Sequence, residues 1–253
     1  MIAGPARYGT QQPDWRPASL PPDRLAGLAE VVTDLLATVD RALRRYGVPP
    51  QHPVVADLRE FRALPGALAR SIVDTDPEPV WQRSVELARH RTAVLAAAEP
   101  VLADGDDLRW SGAGQRAYQT VWASVSAALG AELPAQLLDT AEHGARLARW
   151  YGELRAALVS FFLRYGNSPA AVTLRGGPAA TEPGSADELD RAPAGAAAAA
   201  DLAAACFAAL RPVLAAGREL HPATTSARPA LPTARTPDHD TGTDSGAFHA
   251  GHD

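Results

Sequence analysis

The side chains able to do chemistry are few and scattered. All 24 basic residues are arginine. Without lysine, the P-loop nucleotide site, Schiff-base chemistry and Ser–Lys hydrolysis are excluded. The chain has no G-x-S-x-G, no glycine-rich dinucleotide loop and no H-E-x-x-H. Glu86 and His90 lie four residues apart on one helical face, a spacing compatible with a shared metal or an acid–base pair but read here as a solvated side-chain pair. Glu142-His143 lacks the three-residue spacing of a carboxylate-bridged di-iron site. Asp104, Asp106 and Asp107 gather carboxylates, but without the alternating oxygen ligands and closing glutamate of a calcium loop. His239, Asp240, Asp244, His249, His252 and Asp253 are compatible with weak metal binding, and read more simply as a polar tail. The single cysteine, Cys206, makes neither an internal disulfide nor a multi-cysteine metal site and reads as a buried structural thiol. No catalytic residue, metal site or cofactor is expected.

The elements that carry these residues are helical by pattern. Apolar residues make up 46% of the chain, a share inflated by alanine, so the core is expected to be thin. The net charge of −5, with no basic block, lacks the electrostatic footprint of a nucleic-acid binder. Residues 1–20 hold no run of signal-peptide length, and no stretch of about 18 strongly apolar residues predicts a membrane span. Residues 1–20 read as an irregular lead and 21–167 as a helical bundle. Leu25, Leu28, Val32, Leu35, Leu36, Val39 and Leu43 mark a first helix, stopped by Gly47 and Pro49-Pro50. A second starts after Pro53, with Pro65-Gly66 expected to kink or split it. A third follows Asp76-Pro77-Glu78 and carries Trp81, Val85, Leu95 and Val101, with a bend expected at Pro100.

The longest predicted helix runs from Ala113 to about Tyr165, some 75 Å at 1.5 Å per residue. Ala117, Val121, Val125, Leu129, Leu133 and Leu137 form one face. From Leu147 through Tyr151, Leu154, Leu158, Phe161 and Tyr165 the gaps alternate four and three, as in a coiled-coil seam. Pro134 is expected to kink or divide this helix. Residues 168–194 read as a linker, 195–217 as an alanine-rich helix with a narrow stripe at Leu202, Cys206 and Leu210, and 218–253 as a disordered tail.

Between the two long runs stands Trp110-Ser111-Gly112, with Gly114 close behind: a large apolar anchor beside two glycines, the composition of a tight reversal. Trp110-Ser111-Gly112-Ala113-Gly114, followed by Ala117-Tyr118-Gln119, resembles the turn and second-helix start of the WXG family, small helical hairpins associated with type VII secretion in actinobacteria and related Gram-positives. The resemblance covers residues 78–165. It implies an all-α fold with an antiparallel helical hairpin in a four-helix-type bundle, and a protein partner, as a homodimer or a WXG-type heterodimer. It also implies contact with a secretion machinery, and a cytoplasmic protein exported without a cleaved signal. Trp110, Ser111, Gly112 and Gly114 would form the turn; Tyr118, Val121, Val125, Leu129, Leu147, Tyr151, Leu154, Leu158 and Phe161 would line the pairing face. Family members or their partners carry a tyrosine followed four residues later by an acid. Here Tyr151 is followed at that spacing by Arg155, and Tyr165 by Pro169. The other reading is a cytosolic all-α scaffold or regulatory protein in which the WSG turn is only structural.

Overall fold

A computed structural model describes residues 19–20, 22–106, 111–176 and 186–226, and among these every regular element is a helix. The elements are α1 (Ala29–Tyr46), α2 (Val54–Phe61), α3 (Pro65–Asp74), α4 (Glu78–Asp106), α5 (Ala113–Ala127), a π turn (Ala128–Glu132), α6 (Leu133–Tyr165), α7 (Pro169–Gly176) and α8 (Ala186–Ser226). The break expected at Pro65-Gly66 falls between α2 and α3, with Pro65 opening α3 at the position where its missing N–H costs nothing. Pro100 is accommodated inside α4.

Most of the apolar burial lies in one head. Leu25, Val32, Leu36 and Val39 at the α1 end meet Leu154, Leu158 and Phe161 of α6, and Leu202, Cys206, Phe207 and Leu210 of α8. Phe207 stacks on Phe61 with ring centroids 4.9 Å apart. Helix α8 is therefore a principal wall of this core, and it extends beyond 195–217 at both ends. Gly217 does not stop it. Its bare α-carbon makes room for the Trp150 indole, whose Nε1 donates to the Val213 carbonyl at 2.7 Å. Alanine has high helix propensity, but in a folded protein most of a helix's stability comes from packing, and α8 packs on α1, α2, α6 and α7. By length and composition, Ala192–Leu220 is also long and apolar enough to cross a membrane; here its apolar stripe is spent on the head.

Two sequence boundaries change. The stretch read as linker, 168–194, contains α7, which buries Ala171 and Leu174, and the start of α8. The stretch read as tail, 218–253, is helical as far as Ser226, and 227–253 lies outside the described residues, as do 1–18 of the lead. The short apolar pair in α7 was too small to stand out from its Gly/Pro-rich surroundings.

Helix α3 is short and lacks a local cap, and buried charges from elsewhere hold both its ends. At its start the Asp40 carboxylate accepts from the backbone N–H groups of Gly66 at 2.8 Å and Ala67 at 3.1 Å. A Cβ on Gly66 would lie 2.7 Å from both Asp40 Oδ2 and the Leu36 carbonyl, so only glycine admits this approach. At its end the Arg155 guanidinium donates to the carbonyls of Ile72, Val73 and Thr75 at 3.1, 2.8 and 3.1 Å, and pairs with Asp23 at 2.7 Å. An anion at the N-terminus and a cation at the C-terminus both suit the helix dipole.

Candidate interaction surface

The remaining helices form an arm. Helices α4 and α6 lie side by side in opposite directions: Ser84 faces Gly144, and Leu102 faces Gly130. Near the head the buried part of the arm is Ser84 of α4 beside Gly144, with Ala141, Ala145 and Ala148 of α6 and Trp81; farther along α4, Arg91 and Ala98 are buried as well. Leu20 packs over that end. Small side chains bring the helix axes close but bury little apolar area, so the arm is stabilised less than the head.

Leu102 at the level of Gly130 fixes the register. Only Ala103 to Asp106 of α4 lie beyond that level, whereas the partner strand of the arm leads back to Gly112. At 1.5 Å per residue, α5 outruns the described end of α4 by roughly 20 Å. Helix α4 accordingly packs on α6 and the π turn, and α5 has no buried residue at all.

Pro134 stands next to the π turn. A proline inside an α-helix collides with the carbonyl four residues earlier and leaves one acceptor unused. The wider turn at Ala128–Glu132, in which the Leu133 N–H reaches the Ala128 carbonyl, absorbs that misfit while the chain stays helical on both sides. It also realigns the stripe at four-residue intervals, which would otherwise drift around an α-helix. Val121 is 63% exposed, Val125 37% and Leu133 39%, and Val101 of α4 adds a fourth exposed apolar side chain at 48%. Leu129 is half-buried between them. Tyr118 and Trp122 are half-buried and stack on each other with ring centroids 6.1 Å apart.

The structure divides the residues expected on a pairing face. Tyr118, Val121, Val125 and Leu129 lie on the arm. Leu147 and Tyr151 are half-buried, and Leu154, Leu158 and Phe161 are sealed inside the head. The continuous seam expected from Leu147 to Phe161 is thus covered in its lower half by α1 and α8 of the same chain, which leaves no room there for a second one. Of the turn motif, Ser111, Gly112 and Gly114 are exposed and Trp110 lies outside the described residues. Gly112 precedes α5 with φ +105°, a conformation that favours glycine. Arg155, four residues after Tyr151, is engaged by α3 and Asp23.

Chemistry elsewhere stays sparse. No group of three metal-ligating side chains occurs among the described residues. Glu86 pairs with Arg83 at 2.8 Å on an exposed face. Burial pushes the Cys206 thiol up to about 12, which leaves it protonated and unreactive. A hollow of about 530 Å³ beside α6 is lined by apolar Leu20, Leu25, Val159 and Leu163 and by charged Arg24, Asp76, Glu78, Asp23 and Arg155, the last two paired with each other. Another of about 570 Å³ sets Arg41, Arg44 and Arg70 around Asp40, whose carboxylate is committed to α3. The tail histidines lie outside the described residues. No family model, curated protein or solved structure matches this chain.

Proposed function

We propose that this protein is a non-catalytic recognition protein that pairs its arm with a helix of another protein, in the manner of the WXG hairpins of type VII secretion. The observation that carries the reading is α5: a helix with no buried residue that displays Val121 and Val125 to water. Exposed apolar side chains clustered on one element mark interaction sites. A helical hairpin laid into such a stripe would complete a four-helix-type bundle with α4 and the α5–α6 run. The WSG motif and the helices on either side support the secretion-associated form of this reading, with the protein acting as substrate, partner or adaptor. A cytoplasmic protein that leaves by a signal-independent route fits the same reading.

The test compares Val121→Asp and Trp110→Ala with the parent chain by circular dichroism and by an export assay in a host carrying the secretion system. The reading expects near-parental helix content with reduced partner pairing and export. Unchanged pairing and export in both variants would reduce the motif to a structural turn. One observation favours that second reading, a cytosolic all-α scaffold. The position four residues after Tyr151, acidic in the family's signal, is here a structural arginine held by Asp23. Genes encoding a secretion ATPase or a second short WXG protein beside this one would favour the first reading, and their absence the second.

A further inference from the structure

The arm has a charge as well as an apolar stripe. Between residues 92 and 140 stand the acids Glu99, Asp104, Asp106, Asp107, Glu132 and Asp139, against Arg109 and Arg116 as the only bases. Six acids against two arginines leave this segment at −4, while the whole chain, with 29 acids and 24 arginines, stands at −5. Only this outer part of the arm is acidic: its inner part, with Glu78, Glu86 and Glu142 against Arg83, Arg89, Arg91 and Arg146, stands at +1. Glu99 and Asp104 are exposed in the same stretch of α4 as Val101, and Glu132 is exposed beside Leu133. Helix α5 itself carries one charge, Arg116.

From this juxtaposition of exposed valines and acid rim, we infer that the arm's partner is a different protein, an amphipathic helix whose apolar stripe is flanked by arginines or lysines, rather than a second copy of this chain. The inference rests on the proposed pairing role and specifies its partner. Two copies of the outer arm, residues 92–140, laid side by side would set four net negative charges against four across an interface a helix diameter wide. A basic-flanked helix running along the arm would cover Val121 and Val125 and, farther along, reach Glu99, Asp104 and Glu132. Charges arranged this way select partners and speed encounter more than they add affinity.

The experiment uses the full chain with two synthetic three-heptad helices. Both carry leucine on one stripe; one has arginine and the other glutamate at the flanking positions. Binding is measured by isothermal titration, and the oligomeric state of the protein alone by analytical ultracentrifugation. The expected result is a monomer that binds the arginine-flanked helix at least about tenfold more tightly than the other, a preference that about 0.5 M salt removes by screening. The V121D/V125D double variant separates docking from mere attraction. It adds negative charge, so unspecific attraction would bind the basic helix more tightly, whereas docking on the stripe is lost. Equal binding of the two helices would overturn the inference and leave the pairing role intact. So would a dimer abolished by V121D/V125D, since the second copy would then be the partner. Binding of neither helix by a monomer would overturn the pairing role itself.

Discussion

Arg155 shows what a buried charge does in this fold. It stands 8% exposed in an apolar bundle, a position that costs several kcal/mol of desolvation unless the geometry repays it. Repayment comes from three carbonyls at the end of α3 and the Asp23 carboxylate. Replacing it by methionine should fill the space, strand those carbonyls, and lower stability by about 3 kcal/mol, read from the urea midpoint at neutral pH. The same pair sets a pH dependence. The hydrogen bond from Arg155 holds the Asp23 carboxyl below its ordinary value of 3.8. Its stabilisation is thus complete above that value and is lost as pH falls below it. Burial acts oppositely on Asp40 and raises its carboxyl, so that group resists folding less as acid is added. Stability measured from pH 3 to 6 should fall on the acid side, and the part due to Asp23 should be missing in Arg155→Met. At Gly217 the packing is steric: Gly217→Ala would drive a methyl group into the Trp150 indole. The expected loss is about 1–3 kcal/mol, with a lowered melting temperature and a shifted tryptophan emission.

At the scale of elements, α8 and α5 are opposites. Both are rich in alanine and serine-sized residues, yet α8 buries Leu202, Cys206, Phe207 and Leu210, and α5 buries nothing. Phe207→Ala should cost about 3–5 kcal/mol of global stability. Val121→Asp, on a residue 63% exposed, should stay within about 0.5 kcal/mol of the parent in the same denaturant titration. The sequence periodicity located the body and end of α1, though Leu25 and Leu28 of its expected stripe precede its start at Ala29, together with the breaks at Gly47 and Pro65 and the length of the α5–α6 run, because strong apolar residues at helical spacing report a face directly. It placed Leu202, Cys206 and Leu210 on one stripe of α8 as well. It missed that helix's extent, since alanine marks no face and Gly217 reads as a stop. The division of the long helix's stripe was also hidden. Val121 and Leu158 have the same spacing signal, and only tertiary contact decides that one meets water and the other α1 and α8. The two caps of α3 come from residues 26 and about 80 positions away in sequence, a distance at which a lone Asp or Arg carries no local signal.

The molecule as a whole is a packed head with an acidic, sparsely packed arm. Local stability follows buried apolar contact. Amide hydrogens of α5 should therefore exchange early and those of α8 between Leu202 and Leu210 last, with α4 and α6 in between; uniform exchange would mean that the arm and the head unfold together. The arm's exposure has meaning only if something covers it in the cell, and that is the central claim. The most direct measurement is photo-crosslinking in the native host from a benzoylphenylalanine placed at position 121, 125 or 172. Val172 of α7, 59% exposed on the head, serves as the control. The account predicts one discrete protein adduct from 121 and 125 and none from 172. No adduct from the arm, or the same adducts from all three positions, would contradict it.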